Sequence, residues 1–248
     1  MARRRFFVPE VHSGQAELAG DEAKHLTQVL RVETGQLYEI SDNQRVYLAE
    51  VETARKSHVA FRILETYPAP EPMTPLTVLL AVIKFERLED AIEKATELGA
   101  TEIRLIKAER SERGLDQAVP KRIQRWNRIA LEASQQCRRW RLPEITGPVP
   151  LKKALEFEAD YRLFLDEERT GKPLLSVLTR GPQPAAILVG PEGGWPDHER
   201  EAILAAGWTP TSLGPLVLRA ETAVMAALAG LNAAFLRDMK VTDSEKRT

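Results

Sequence analysis

Two glycine-bearing turns carry the residues best placed to do chemistry. The first is Ile187-Leu188-Val189-Gly190-Pro191-Glu192-Gly193-Gly194-Trp195-Pro196, an apolar run that breaks into glycines and then into a helix start marked by Pro196, Asp197 and Glu199. In open α/β sheets a ligand sits beyond the carboxyl ends of the strands, and glycine lets the backbone approach it closely. The turn has neither the G-x-G-x-x-G of a dinucleotide site nor the G-K-[ST] of a phosphate loop. A plain tight turn at a strand end is the alternative reading. The second stretch, Leu213-Gly214-Pro215-Leu216-Val217-Leu218-Arg219-Ala220-Glu221-Thr222-Ala223, again runs from a strand through Gly-Pro into a helix. Two such turns at neighbouring strand ends can make one pocket, with Leu213 and Leu218 as apolar walls and backbone groups as polar readers.

A second signal is charge. The chain of 248 residues has a formal net charge of −1, yet residues 104–141 hold eleven Lys and Arg against four acids. Phosphate affinity follows the local field rather than the total. Arg125 and Arg128 share helical spacing with Lys121, and Arg138, Arg139 and Arg141 surround Trp140. Such residues give salt-dependent affinity for RNA, while exposed aromatics stack bases. A solvated helix face is the alternative. Arg3, Arg4 and Arg5 extend the basic surface at the amino terminus, with a basic tail as the alternative. Lys24, His25 and Arg31 stand evenly between RNA contact and structure.

Other classes are poorly supported. Cys137 is the single cysteine, so no intrachain disulfide or thiolate zinc cluster can form. The four histidines show no ligand spacing, and no metal site is expected. No apolar run reaches the roughly 20 residues of a membrane span, and the basic start lacks the apolar stretch of a signal peptide. A cytoplasmic protein without a membrane partner is the expectation.

The elements that must position these residues fall on either side of Tyr67–Pro75, where four prolines in nine residues read as a semi-rigid linker. Before it, period-two alternation marks strands at Arg3–Val8, Gln36–Ser41, Arg45–Glu52 and His58–Leu64, with a turn at Ser41-Asp42-Asn43. One helix interrupts them, with Asp21 as its N-cap and Leu26, Val29 and Leu30 as its apolar stripe. A small β-barrel with one helix is expected over residues 1–70. Beyond it, residues 71–248 alternate strands (Leu76–Ile83, Thr101–Lys107, Tyr161–Leu165, Ala185–Val189, Pro210–Leu213) with helices. Those helices are one through Leu88 to Leu98, a long one opened by Val119-Pro120, Asp197–Ala206 and Glu221–Phe235, followed by a polar tail. That order means a mostly parallel sheet covered by helices. Small residues surround the last helix, which points to burial in the domain or, preferably, at a subunit interface.

Taken together, Gly190-Pro191-Glu192-Gly193-Gly194 and Leu213-Gly214-x-x-x-Leu218-Arg219-x-Glu221-Thr222-Ala223 resemble the signature of the SPOUT methyltransferases, and within them the RsmE family. The resemblance extends over nearly the whole chain, through Arg5-Phe6-Phe7, His25-Leu26-x-x-Val29-Leu30-Arg31, Lys94-Ala95-x-Glu97-Leu98-Gly99, Glu109-Arg110-Ser111 and Glu132-Ala133-x-x-Gln136. The chain departs from the family at Leu216, where arginine is usual, and at Arg138, where a small residue is usual. The resemblance implies an α/β fold with a PUA-like RNA-binding barrel, a SPOUT domain with a carboxy-terminal trefoil knot, and a homodimer. It further implies methylation by S-adenosylmethionine of N3 of a uridine, the family's uridine 1498, in 16S ribosomal RNA or the small subunit.

On that reading Leu165, Leu188, Gly190, Gly193, Gly194, Leu213, Gly214 and Leu218 hold the cofactor, and Arg5, Lys24, His25, Arg31, Arg125, Arg128, Arg138 and Arg139 contact RNA. Uridine N3 must shed its proton or be stabilised as an anion, and a cation near its oxygens does so. Arg219 and Arg110 are the candidates, each with a surface ion pair as the alternative. Glu192 serves as base or steadies the cofactor's charged end, or simply sits favourably at a helix N-terminus. A ribosome-binding factor without catalysis is the rival from another class; a nucleotide enzyme of Rossmann type lacks its glycines after the first strand.

Overall fold

A computed structural model describes residues 4–69, 73–168 and 171–245, with side chains as far as 236. Arg3 and the linker residues Pro70, Glu71 and Pro72 lie outside the described residues. The chain divides into two units, Met1–Pro72 with Leu131–Leu142, and Met73–Ala130 with Pro143–Thr248. The division is thus not a single cut near residue 70, because a stretch from mid-sequence groups with the amino-terminal unit.

In that unit β1 (Arg5–Phe7), β2 (Gln15–Ala19), β3 (Leu37–Ser41), β4 (Val46–Arg55) and β5 (His58–Thr66) form one sheet in the order β1-β3-β4-β5-β2. β1 runs parallel to β3, and the other pairs are antiparallel. The sheet curls into a half-barrel rather than a closed barrel; among the described residues no ladder joins β1 to β2. Its inner face buries Phe6, Leu18, Ile40, Val51, Val59 and Phe61 with Leu26. The Ser41–Asn43 turn forms because Asp42 Oδ1 accepts the peptide N–H groups of Gln44 at 2.9 Å and Arg45 at 2.7 Å.

The short helix α1 (Gly20–Lys24) departs from expectation. Its N-cap is Ala19, not Asp21, which lies in the first turn and pairs with Lys24 at 2.8 Å. A π-type turn, His25–Val29, follows. The wider turn rotates what comes after it, so Val29 is 65% exposed while Leu26 stays buried.

The second unit is built on β6 (Leu76–Ala81), β7 (Glu102–Lys107), β8 (Glu144–Pro150), β9 (Tyr161–Leu165), β10 (Lys172–Pro173), β11 (Ala185–Val189) and β12 (Thr209–Ser212). Every pairing in the order β10-β12-β9-β11-β6-β7-β8 is parallel. The central strands β6 and β11 are buried along their whole length, which is why they read as apolar runs, broken only by Thr77 in β6. Alternate residues feed two cores. Val78, Leu80, Ile187 and Val189 pack under α2 (Phe85–Glu97) and α7 (Ala220–Glu245). Leu79, Ala81, Ile106 and Leu188 face Trp195, Ile203 and Trp208 around α6 (Asp197–Ala205).

Helix α3 (Leu115–Cys137) starts four residues before the expected Val119-Pro120, and carries Pro120 inside it. Two one-turn helices, α4 (Leu151–Ala154) and α5 (Leu174–Val177), complete the unit. Helix α7 continues past Phe235 to Glu245, through what was expected as a tail, since no glycine or proline interrupts it.

Candidate active site at two glycine turns

The carboxyl ends of β9, β11 and β12 lie side by side, and the chain leaves each of them toward one cleft of about 320 Å³. From β9 come Leu165, Asp166 and Glu167; from β11, Val189, Gly190, Pro191, Glu192 and Gly194; from β12 and beyond, Leu213, Gly214, Leu216, Val217, Leu218 and Arg219. The two turns singled out by spacing therefore converge on one space.

Gly194 has φ +69°, and a Cβ there would stand 2.3 Å from Glu167 Oε1. That carboxylate accepts the Trp195 peptide N–H at 3.1 Å, tying the turn after β11 to the end of β9. Gly193 faces away from the cleft. A Cβ on it would meet Arg110 Cβ at 3.1 Å, and its carbonyl accepts from Arg110 Nη1 at 3.3 Å. Gly193 and Arg110 thus stand behind the cleft, not in it. Nor does Leu188 line it: one residue of strand parity sends that side chain into the opposite core, and Val189 takes its place.

Of the residues expected to carry charge, Arg219 lines the cleft, exposed and without an ion-pair partner among the described residues. It ends just where α7 begins, its carbonyl accepting from Ala223 N at 2.8 Å. Glu192 also lines the cleft, but its carboxylate is held by Arg87, a residue that no motif in the sequence marks. Asp166 and Glu167 belong to no motif either; their place next after an apolar strand is the signal that could have found them. Arg200 binds both, at 3.0 Å to Asp166 Oδ2 and 3.2 Å to Glu167 Oε1. The turn from Ser212 to Leu218 makes little use of its own donors. Gly214 N reaches Ser212 Oγ at 3.3 Å, while the peptide N–H groups of Leu216, Val217 and Leu218 find no acceptor among the described residues.

One buried carboxylate supports the rear of the site. Glu199 on α6 accepts the Glu109 peptide N–H at 3.0 Å, and His198 lies 3.0 Å from the Glu109 carboxylate. Burial pushes the Glu199 carboxyl above its ordinary range. Among the described residues no three His, Cys, Asp or Glu are grouped to hold a metal ion.

The basic residues are more occupied than their density suggests. Arg5 and Arg138 clamp the nearly buried Glu39 from two sides, each at 2.8 Å. Arg139 is buried, and burial pulls its guanidinium down to about 10. Arg125 forms a double contact with Glu89 at 2.6 Å, and Lys24 pairs with Asp21. Arg128 and Arg31 are exposed, Arg31 at a backbone φ of +52°, and His25 is half-buried.

An RNA methyltransferase domain family matches residues 69–232, and an RNA methyltransferase PUA domain family matches residues 18–64. Ribosomal RNA small subunit methyltransferase E of Synechocystis is 32% identical over 94% of this chain and 78% of its own length. Its namesake in Mycobacterium bovis is 33% identical over 93% of this chain and 91% of its own. Among solved structures, a methyltransferase from Legionella pneumophila in complex with SAM superposes with a TM-score of 0.86 at 30% identity, covering 94% of this chain and 98% of that one. Ribosomal RNA small subunit methyltransferase E from Neisseria gonorrhoeae, bound to S-adenosyl methionine, gives 0.83 at 26% identity, covering 93% and 97%.

Proposed function

The chain belongs to the ribosomal RNA small subunit methyltransferase E family, and from that premise we propose that it methylates N3 of a uridine in 16S ribosomal RNA with S-adenosylmethionine. The observation that carries this reading is the meeting of the 190–194 and 213–219 turns on one cleft.

The residues present suit the cofactor. The cleft volume falls at the low end of the roughly 300–1,000 Å³ of small-molecule sites. Leu165, Val189, Leu213, Leu218 and Ala223 give apolar walls for a purine ring, and the free peptide N–H groups of 216–218 supply donors for its edge. Gly190, Gly194 and Gly214 leave backbone rather than side chain along the rim. When bound, S-adenosylmethionine supplies an electrophilic methyl carbon. Arg219, unpaired at the rim, stabilises the uridine anion by placing positive charge near O2 or O4. Glu192 is paired with Arg87 and holds the turn after β11. Positioning then does the remaining work.

Two further parts of the reading follow from family membership. The strand β12 lies between β9 and β10 in the sheet although it follows both in sequence, the kind of order that a threaded trefoil carboxy terminus has. Helix α7 buries Val224, Ala227, Leu228 and Leu231 in its own domain but leaves Ala229, Ala233 and Leu236 outward, and a second copy of the chain covers them. The RNA partner is the small-subunit RNA, free or assembled.

Calorimetry with S-adenosylmethionine should give one site per chain, and mass mapping of 16S RNA from cells lacking the gene should show one uridine short of a methyl group. A protein that binds no cofactor, or an unchanged RNA mass, ends the proposal. Sedimentation should show a dimer that Ala229→Glu converts to monomer.

A further inference from the structure

Arg87 belongs to none of the motifs above, yet it touches both halves of the cleft. It sits in the first turn of α2, and its Nη1 donates to Glu192 of the turn after β11. Its Nε lies 4.0 Å from Glu221 Oε1 in the first turn of α7, two residues past Arg219. Arg87 is itself part of the cleft lining. Glu221 is 8% exposed, and its Oε2 has no hydrogen-bond partner. No other cation lies within ion-pair reach of Glu221 among the described residues. One positive group therefore serves two carboxylates that belong to different turns.

We propose that Arg87 is a positioning residue that sets the spacing of the two turns by bridging Glu192 and Glu221, and so keeps the cleft open to its ligand. The bridge needs a guanidinium. Its planar fork presents donors in two directions, whereas an ammonium is a single point charge on a flexible stem. Removing the cation leaves two like charges facing one another with no counter-ion, and each then favours a conformation further from the other. Among the described residues nothing else links Glu192 to α7, so that repulsion is relieved by moving the turns.

The inference rests on the cleft being the S-adenosylmethionine site, and its test separates the two ideas. Arg87→Ala and Arg87→Lys are prepared alone and with Glu192→Gln, and each is studied by calorimetry with S-adenosylmethionine and by hydrogen exchange of the free protein. Arg87→Ala should weaken binding about tenfold or more, Arg87→Lys should fall between, and Glu192→Gln should return part of the loss only in the Arg87→Ala background, a coupling that a purely structural arginine does not show. Exchange over 190–195 and 213–221 should quicken in Arg87→Ala, with the strands β6 and β11 unchanged. Unchanged exchange, or losses that simply add, overturns the bridge. Faster exchange in a protein whose wild type binds no S-adenosylmethionine keeps the bridge and removes the cofactor reading instead.

Discussion

At the scale of single residues, Gly194 is the position of the site where backbone conformation and space both favour glycine. Its φ of +69° strains any side chain placed there, and a Cβ would stand 2.3 Å from Glu167 Oε1, so the carboxylate must move. Gly194→Val should therefore displace Glu167, release the Trp195 peptide and cost at least about a hundredfold in cofactor affinity, which is roughly 2.7 kcal/mol. Far-ultraviolet circular dichroism should stay near wild type, and calorimetry reads the binding. Arg219 differs because it holds nothing together. Arg219→Ala should lower kcat by roughly 10²–10³-fold, as loss of one charge-stabilising donor does, while changing S-adenosylmethionine affinity by about threefold or less. Single-turnover kinetics with saturating RNA checks this; an unchanged rate assigns Arg219 to structure.

At the scale of elements, charge that looks free in the sequence is spent on joining pieces. Glu39 on β3 receives Arg5 from β1 and Arg138 from the stretch after α3. Burial acts to raise its carboxyl, but the hydrogen bonds from Arg138 and Arg5 prevail and hold it below the ordinary carboxylate range. A lowered folded-state value means that the contribution to stability is present above the unfolded pKa and fades as pH falls through the folded one. Glu39→Gln should thus destabilise the protein by about 2 kcal/mol at pH 7, with the difference shrinking as pH falls below about 4.5. Denaturant titrations at several pH values measure it.

Much of this architecture was legible in the sequence. β9 and β11 were readable to the residue, β11 because a strand buried on both faces leaves a continuous apolar run and β9 because only Arg162 interrupts its apolar residues. β8 was hidden by Gly147, Pro148 and Pro150, which an edge strand tolerates, and β10 by having two residues. β2 did alternate, with Ala16 and Leu18 inward, but in only five residues. The two turns could be found because glycines mark close approach. Arg87 could not, since an arginine in a helical first turn has no pattern of its own until the strands bring Glu192 and Glu221 to it.

At the scale of the whole molecule, a net charge of −1 coexists with strong local asymmetry. Affinity for RNA should fall steeply with salt while cofactor affinity barely changes, because only the former releases counter-ions. Replacing Arg125 and Arg128 on the exposed side of α3 with alanine should weaken RNA binding and reduce the slope of log K against log salt by roughly 0.7–0.9 for each phosphate no longer neutralised. Filter binding across a salt series measures it. Arg138 and Arg139 are poorer choices, since Arg138 is one of two clamps on the buried Glu39 and Arg139 is itself buried, whereas Arg125, though paired with Glu89, keeps an exposed side chain.

The order in which the cleft is assembled also matters to a cell. One wall comes from residues 165–194 and the other from residues 211–223, so the second wall is made only after the first. A nascent or prematurely terminated polypeptide can pair its central strands and still present only half a binding surface. A chain truncated before residue 211 lacks one side of that cleft and should bind no methyl donor.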